Sequence, residues 1–307
     1  MDQTTLERRR ANSLAVREIL VSMRALSAVQ LRRGHAALRS IRDYEDSIAR
    51  GLTRAGFEPI PQPKPIRVMV IVLGSDQGMC GALTRHLVER AVARIERLEA
   101  EVRLVVAVGR RTRSLLEAAG HAVDFSHDSP VSAHGVDALV GALAAHLERE
   151  LPGGECCRVE VVYNRHGDKS DHQATALRVY PPQPVGSPSS RRQTRDPLSY
   201  QPLEGVLHAS LLEWSYAAIY RCALESLTAE HDARLRTTDA AIHTLDDRLD
   251  ELRIELNRLR QEAITNELHE LVSGAVAQDA GIERGATDSY TDRGARNPGS
   301  HVALGED

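Results

Sequence analysis

The carboxy-terminal third of the chain contains a long stretch without helix-breaking residues. Neither glycine nor proline occurs between Gly205 and Gly274, and these two residue types are the least favourable in a helix interior. The sequence therefore predicts one continuous helix over residues 206–277. A compact domain cannot bury a helix of that length, so the helix must pair with another element. Its middle carries an apolar seam with alternating spacings of four and three, which is typical of pairing with a single helix: Leu245, Leu249, Leu252, Leu256 and Leu259.

The amino-terminal segment is the expected partner of this helix. The first proline is Pro59, and Gly34 is the only glycine before residue 51, which permits a helix over residues 1–58. We predict that the two helices pair as a long antiparallel two-helix coiled coil, because they bracket the middle of the chain. The amino-terminal residues predicted to face the seam recur at helical spacing: Val16, Ile19, Met23, Leu26, Ile41, Tyr44 and Ile48.

The segment between the two helices has a different hydrophobic period. Apolar runs of strand length, such as Val68–Leu73 and Leu104–Val108, alternate with helical stretches, and this alternation is typical of an α/β domain with a largely parallel sheet. We predict a Rossmann-like α/β domain over residues 66–180, a linker rich in proline and serine over 181–205, and a polar, flexible tail over 278–307. The predicted fold class is thus α+β or α/β, with a central α/β domain and a coiled coil of the terminal helices.

The loop at residues 74–81 follows a predicted strand and precedes a predicted helix, where a phosphate-binding loop is often found. Its glycines are spaced four and three apart, unlike G-x-G-x-x-G, and no lysine follows as in a P-loop. The alternative is a tight turn that needs small residues, with Asp76 or Ser75 capping backbone amides. We favour this turn, which gives a structural role to Ser75, Asp76, Gly78, Cys80 and Gly81.

Composition argues against several classes of protein. The chain has 39 Lys and Arg against 43 Asp and Glu, a formal net charge of −4 and 3% aromatic residues, which argues against a nucleic-acid binder. No apolar run is long enough to cross a bilayer, and the first ten residues do not form a secretory signal. Cytoplasmic placement is therefore the expectation.

Reactive side chains form no catalytic or metal-binding motif in the sequence. His121, His166 and His172 lack the spacing of a metal site and are interpreted as solvated surface residues. The cysteines lack the spacing of a disulfide framework and are interpreted as reduced thiols: Cys80, Cys156, Cys157 and Cys222. The sequence predicts no catalytic centre, no metal site and no cofactor.

The end of the long predicted helix carries the most specific pattern. Residues 264–277 read ITNELHELVSGAVA and resemble the carboxy-terminal signature of F-type ATP synthase gamma subunits, I-T-x-E-x-x-E followed after three residues by G-A and a small residue. Three earlier segments resemble the same family in the same order, so that the resemblance covers most of residues 6–277. Ile19, Met23 and Arg24 with Leu31–Arg33 are similar to its first helix, Ser75–Gly81 to its S-D-R-G-L-C-G loop, and Glu230–Arg234 to its E-x-x-A-R stretch.

The resemblance implies a rotor subunit that performs no catalysis by itself. It implies a central stalk that transmits torque between a membrane ion-translocating ring and a catalytic ring, in ATP synthesis or hydrolysis coupled to proton or sodium transport. The implied partners are the alpha, beta and epsilon subunits and the membrane c-ring, at the cytoplasmic face of the cell inner membrane. The positions to which the family assigns coupling or partner contacts are Met23, Arg24, Arg234, Gln261, Thr265, Glu267 and Glu270.

The chain departs from the family pattern in two places. It has Leu20-Val21-Ser22 where the family commonly has lysine and threonine, and its tail from Gln278 extends past the usual family end. Two alternatives belong to other classes of protein. A nucleotide-dependent enzyme dimerised by its helices predicts nucleotide binding by the α/β domain, whereas a general coiled-coil scaffold leaves the pattern at residues 264–277 unexplained.

Overall fold

A computed structural model describes residues 3–55, 57, 67–98, 102–150, 157–166, 172–182 and 202–291, without the side chains of residues 102, 157 and 277–291. The chain divides into two compact units, residues 1–15 with 245–307 and residues 16–244. An amino-terminal helix, a central mixed sheet and a long carboxy-terminal helix follow one another as predicted. The elements are α1 (Gln3–Arg54), β1 (Arg67–Leu73), α2 (Leu83–Glu96), β2 (Val102–Val108), α3 (Arg110–Ala118), β3 (Phe125–His127), α4 (Ala133–Glu150), β4 (Cys157–His166), β5 (His172–Tyr180) and α5 (Leu203–Thr291).

The five strands form one sheet in the order β3-β2-β1-β4-β5. β1 pairs in parallel with β2 and with β4, β2 pairs in parallel with β3, and β5 runs antiparallel to β4 at one edge. The central strand β1 is a continuous apolar run because both of its faces are covered, and Val68 to Val72 are fully buried.

The two faces of the sheet pack against different helices. Met69, Ile71 and Leu73 point to the face covered by α1, α4 and α5, where Leu38, Leu139 and Leu224 pack. Val68, Val70 and Val72 point to the face covered by α2 and α3, where Leu87 and Leu116 pack. The alternation of a strand with period two therefore gives the domain two apolar layers, one on each side of the sheet.

Within the unit 16–244, α1 and α5 run antiparallel. Arg24 bonds Asp239, Arg42 bonds Glu225 and Arg221 bonds Glu45, at N–O distances of 2.8, 3.0 and 2.5 Å. As the residue number of the α1 partner rises, the residue number of its α5 partner falls, which is the order of an antiparallel pair. Most buried positions of α1 in this unit are spaced by seven in two rows, one of Leu20, Ser27 and Gly34 and one of Leu38, Glu45 and Leu52.

The predicted packing face of α1 is confirmed only in part. Ile41 and Ile48 pack against the core beside the sheet, and Met23 is half-buried. Val16, Ile19 and Leu26 are 47%, 59% and 56% exposed, and Tyr44 is also exposed. Small residues line part of the true interface because the helices approach closely there: a Cβ on Gly34 would lie 2.5 Å from Thr228 Oγ1. Apolar periodicity therefore identified packing positions at Ile41 and Ile48, but it also selected Val16, Ile19 and Leu26, which this chain leaves exposed.

Within the other unit, the predicted α5 seam is buried at Leu252 and Leu256 and half-buried at Leu245, Leu249 and Leu259. Leu252 and Leu256 pack with Leu6 of α1, and Leu259 lies against this cluster. Arg260 donates to Glu7 at 3.3 Å on the exposed side. The leucine spacing of α5 thus predicted its packing face correctly.

The ends of the long helices differ from the predicted boundaries. α1 ends at Arg54 rather than 58, and α5 begins at Leu203 rather than 206. The backbone of α5 remains helical to Thr291, whereas the sequence predicted a flexible tail from 278. Glycines such as Gly281 and Gly285 lower helix stability by about 1 kcal/mol each without forbidding a helix. Most of the predicted linker 181–205, and residues 292–307 of the predicted tail, lie outside the described residues.

No helix in the described part of the chain is both long enough and apolar enough to cross a membrane.

Candidate functional site

The loop after β1 is held by inward-facing polar groups. Ser75 Oγ lies 2.8 Å from Thr84 Oγ1 at the start of α2, and Cys80 Sγ lies 3.7 Å from the same hydroxyl. Met79 and Gly81 both have positive φ, 61° and 59°, which closes the turn before α2. The polar side chains of Ser75 and Cys80 are buried against Thr84 and do not face an open phosphate site.

Asp76 connects this loop to two other segments. Its Oδ1 accepts a hydrogen bond from the backbone N–H of Arg110 at 2.5 Å, and its Oδ2 accepts one from the N–H of Ser129 at 2.9 Å. Arg110 is the first residue of α3, so the carboxylate lies at the positive end of that helix. Asp76 therefore caps the helix after β2 rather than the helix of its own loop.

The carboxyl ends of β1 and β2 approach each other too closely for side chains. A Cβ on Gly74 would overlap Thr112 Oγ1, and one on Gly109 would lie 2.6 Å from the carbonyl oxygen of Ser75. Gly109 also has φ 97°, which strongly favours glycine. Close backbone packing requires glycine at both positions. A bound ligand is not needed to explain these two glycines.

α5 covers the position where a nucleotide would bind. Ser226 Oγ donates to the carbonyl oxygen of Leu73 at 2.6 Å, and Arg234 Nε donates to the carbonyl oxygen of Gly78 at 3.5 Å. Parallel α/β sheets bind ligands outside the carboxyl ends of their strands, and in this chain that place is occupied by a helix. The contacts support the structural interpretation of the loop over the nucleotide-binding one.

A buried ion pair within α5 positions Arg234, whose guanidinium contacts the loop at Gly78. Arg234 is 4% exposed and donates to Glu230, which is 7% exposed. Burial raises the pKa of Glu230 in spite of Arg234, which acts to lower it. Burial and then the charge of Arg234 lower the pKa of the neighbouring His231 to about 4.

Apolar side chains remain uncovered on both terminal helices. On α5 they recur at i, i+4, i+7, i+8 and i+12, on the opposite side of the helix from Leu252, Leu256 and Leu259. They are between 56% and 67% exposed, and we call them the α5 apolar face: Ile264, Leu268, Leu271, Val272 and Val276. On α1, the exposed residues Val16, Ile19 and Leu26 form a second uncovered group.

His166 and His172 were interpreted from the sequence as solvated surface residues, and this interpretation is wrong. His166 and His172 are half-buried and lie opposite each other at the end of the β4–β5 pair where β4 ends and β5 begins. His166 Nε2 is 3.0 Å from His35 Nε2 of α1, and His172 Nε2 is 3.0 Å from Asp232 Oδ2 of α5. Burial, then His35 and His172, lowers the pKa of His166. Sequence spacing could not show this cluster because its members come from four elements.

Two of the four cysteines are confirmed as free thiols. Cys80 and Cys222 are buried and unbonded, and burial raises the pKa of Cys222 to about 12, which keeps the thiol protonated and unreactive. Cys156 and the side chain of Cys157 lie outside the described residues.

Comparison with known proteins decides the family. A family model described as ATP synthase matches residues 3–277. The chain belongs to the gamma-chain family of ATP synthases. It is 27% identical to the ATP synthase gamma chain of Pelotomaculum thermopropionicum, over 88% of this chain and 97% of that protein. It is 29% identical to the gamma chain of Paracoccus denitrificans, over 85% and 94%.

Solved structures share the fold. A chain of the Euglena gracilis mitochondrial ATP synthase, from an assembly titled OSCP/F1/c-ring, matches with a TM-score of 0.60 at 14% identity, over 91% of this chain and 95% of that one. A chain from the central stalk and c-ring of the Tetrahymena thermophila enzyme matches with a TM-score of 0.51 at 17% identity, over 73% and 99%. Gamma chains are non-catalytic stalk components of ATP synthase, whose catalysis lies in the alpha and beta subunits.

The residues that the resemblance assigns to partner contacts fall into two groups in this gamma chain. Met23, Arg24 and Arg234 are at least half-buried against α5 or within it, Arg24 through its bond to Asp239 and Arg234 through Glu230. The other group lies on an exposed part of α5, where Thr265 Oγ1 bonds the carbonyl oxygen of Gln261 at 2.8 Å: Gln261, Thr265, Glu267 and Glu270. The sequence interpretation stressed these polar groups and missed the α5 apolar face beside them.

Proposed function

We propose that this gamma chain is the turning shaft of a rotary ATP synthase that makes or hydrolyses ATP in step with proton or sodium transport. The observation that carries the proposal is the family match across residues 3–277, which includes both terminal helices and the sheet between them. A family match restricted to the sheet would not support a role for the long helices. Torque transmission needs all three parts in one chain.

Two finer features of the fold belong to this proposal. The helix pair acts as a coiled coil, supported by the antiparallel ion pairs Arg24–Asp239 and Arg221–Glu45 and by buried positions spaced by seven on α1. The sheet acts as a Rossmann-like body, supported by the order β3-β2-β1-β4 of its parallel strands. Two paired helices resist twisting better than either helix alone.

The uncovered apolar groups give the shaft its partner surfaces. The α5 apolar face and the exposed residues Val16, Ile19 and Leu26 of α1 are not covered by this chain, and contiguous exposed apolar side chains mark interaction sites. We assign both to contacts with a ring of alpha and beta subunits. Gln261 and Thr265 lie on the same side of α5 as the apolar face, where they supply hydrogen bonds that can be exchanged during rotation.

The mechanism is a shift of conformational populations. A shaft without threefold symmetry presents a different surface to each of three catalytic sites, and each surface favours a different conformation of its site. Rotation therefore changes which site binds and which releases nucleotide. The sheet domain is proposed to contact the epsilon subunit and the c-ring, which places the chain peripherally at the cytoplasmic face of the inner membrane.

Native mass spectrometry of the chain co-expressed with alpha and beta subunits of the same source tests the proposal. We expect one copy of this chain with three copies of each partner. A chain that stays alone or forms a homodimer beside an intact assembly of alpha and beta subunits would contradict the shaft.

A further inference from the structure

The side chains at the end of the β4–β5 pair where β4 ends and β5 begins have the composition of a metal site. His166 ends β4, His172 begins β5 and Asp232 lies on α5, and their ligand atoms all lie within 4.8 Å of one another. The neighbouring His35 on α1 brings its Nε2 to 3.0 Å from His166 Nε2. Three imidazoles and one carboxylate from four elements thus converge within the unit 16–244.

The distances match the size of a zinc site. Zinc binds imidazole nitrogen and carboxylate oxygen at about 2.0–2.2 Å in a tetrahedron, so two of its ligands lie about 3.3 Å apart. The pairs His35–His166 and His172–Asp232 are both at 3.0 Å, close to that separation. No distance among the ligand atoms of His166, His172 and Asp232 exceeds 4.8 Å, so modest side-chain rotations bring these three to tetrahedral separations.

The contacts within the protein do not satisfy the cluster fully. His166 Nδ1 is buried and has no hydrogen-bond partner among the described residues. In the metal-free chain one N–H lies between His35 Nε2 and His166 Nε2 as a hydrogen bond, and a divalent cation would take the place of that proton between two nitrogen lone pairs. Asp232 supplies negative charge to the same place, and its side chain is only 11% exposed.

We propose that His166, His172 and Asp232, with His35 as the fourth ligand, bind one divalent transition-metal ion of the zinc class. The ion joins the β4–β5 pair to α1 and α5. Imidazole and carboxylate ligands suit zinc and its neighbours rather than magnesium or calcium, which require mainly oxygen ligands. The role of the ion is structural, since all four tetrahedral positions are filled by the protein.

Arg236 competes with the metal for Asp232. Its Nη2 donates to Asp232 Oδ2 at 2.7 Å, and its side chain is 47% exposed. Metal binding displaces this guanidinium toward solvent or toward the other carboxylate oxygen. Arg236→Gln should therefore bind the metal more tightly than the wild-type chain, an effect that a simple hydrogen-bond network does not predict.

The test uses the full chain, purified without a histidine tag, in a background with Cys156→Ser and Cys157→Ser so that thiols do not bind the probe. After removal of metal by a chelator, Zn²⁺ is titrated in competition with a chromophoric chelator. We expect one Zn²⁺ per chain and a melting temperature that rises with Zn²⁺ concentration, because a ligand that binds only the folded state stabilises it. Co²⁺ in place of Zn²⁺ should give the visible absorption of a tetrahedral complex.

The ligand variants are His172→Ala and Asp232→Asn, and the matched control is His243→Ala. His243 also lies on α5 beside an aspartate, Asp239, at 3.8 Å, but its side chain is 76% exposed. We expect each ligand variant to lose at least about 100-fold in Zn²⁺ affinity, the upper end of the loss typical of residues that only support ligands. The control should keep its affinity within about twofold.

Three results would overturn the proposal. They are the absence of stoichiometric Zn²⁺ binding, full retention of affinity in folded ligand variants, and an equal loss in His243→Ala. If His172→Ala does not fold, Asp232→Asn carries the comparison because it keeps the side-chain shape. The outcome is independent of the shaft proposal, since native mass spectrometry of the assembly does not depend on metal.

Discussion

At the residue scale, the buried pair Glu230–Arg234 has two unequal partners. Arg234 cannot lose its charge in a protein, whereas burial already raises the pKa of Glu230 and lets this residue take up a proton when it is left alone. We therefore predict that Glu230→Met destabilises the chain by about 3–5 kcal/mol, the usual cost of leaving one buried charge without its partner. Arg234→Met should cost less, because the remaining Glu230 becomes neutral.

Urea denaturation of the two single variants and of the double variant measures this difference. The double variant should recover much of the loss, since apolar replacement of both partners is often nearly neutral. The control is Arg248→Met, which removes an exposed partner of Glu251 and should change stability by less than about 1 kcal/mol. Equal losses in Glu230→Met and Arg248→Met would show that the pair is not buried in solution.

His146 makes the stability of the sheet domain depend on pH. It is 6% exposed, its ring stacks on Phe125 at 4.3 Å, and neither ring nitrogen has a hydrogen-bond partner in the described part of the chain. Burial lowers its pKa, supported by Arg149 and opposed by Glu150 and Asp124. The unfolded state therefore binds more protons than the folded state as the pH falls below about 6.5.

The sign of this effect is a loss of stability on acidification through the ordinary histidine range. We expect His146→Leu to reduce the fall in urea midpoint between pH 7.5 and pH 5.5, and to keep or raise the midpoint at pH 7.5. His243→Leu, at an exposed histidine, should leave the fall unchanged. A fall of the same size in His146→Leu and wild type would assign the pH dependence to other groups.

Single residues also show the limit of sequence interpretation. The loop sequence indicated that Asp76 or Ser75 caps backbone amides, but not that Asp76 caps α3, because that partner is 34 residues away. His35, His166, His172 and Asp232 have no motif spacing for the same reason. Contacts made by distant segments leave no local periodicity.

At the element scale, the alternation of strands and helices was predictable because it depends on local patterns. The packing face of α1 was predictable only in part, at Ile41 and Ile48. α1 carries Val16, Ile19 and Leu26 on one side and Leu20, Ser27 and Gly34 on another, and the first group has the stronger apolar signal. Hydrophobic periodicity indicates which face of a helix is apolar. It does not indicate whether that face packs against the same chain or against a partner subunit.

Leu252 tests the packing of α5 against the first turns of α1. It is 2% exposed and contacts the cluster with Leu6 and Leu256. Removing a buried leucine side chain costs about 2–5 kcal/mol, and this cluster is small, so the loss should appear as local opening rather than as global unfolding. We expect Leu252→Ala to speed amide hydrogen exchange of residues 3–15 by about 30-fold or more, the equivalent of 2 kcal/mol.

The matched control for this measurement is Leu268→Ala, which removes the same side chain from an exposed position of α5. It should leave exchange of residues 3–15 unchanged. Unchanged exchange in Leu252→Ala would mean that these first turns are not held by the leucine seam.

At the scale of the whole molecule, the chain carries more apolar surface on its helices than its own contacts use. A soluble monomer gains nothing from the α5 apolar face, whereas a shaft inside a ring of partners buries it. Under the proposed function, exposed polar residues of the family signature, such as Thr265 and Glu267, contact the partners, and the α5 apolar face supplies binding energy for that contact. Thr265 and the α5 apolar face lie on the same side of the helix. The family signature includes only some of the residues on that side.

The decisive variant therefore removes this face without touching the fold. Ile264→Ser, Leu268→Ser and Leu271→Ser replace side chains that are 57%, 56% and 67% exposed, so thermal unfolding of the isolated chain should change little. Each side chain contributes about 1.5–3 kcal/mol if a partner buries it fully, and the triple variant should bind alpha and beta subunits at least about 100-fold more weakly in native mass spectrometry.

The control triple variant, at Arg248, Glu255 and Glu262, makes the same change to serine on another exposed side of the same helix. Its assembly should equal that of wild type, because these charged side chains lie outside the apolar face. Equal assembly of both triple variants would mean that the ring holds the chain elsewhere, and the exposed residues of α1 would then have to supply the contact. Loss in both would mean that serine itself, through its lower helix propensity, disturbs α5, so only a difference between them supports the shaft surface.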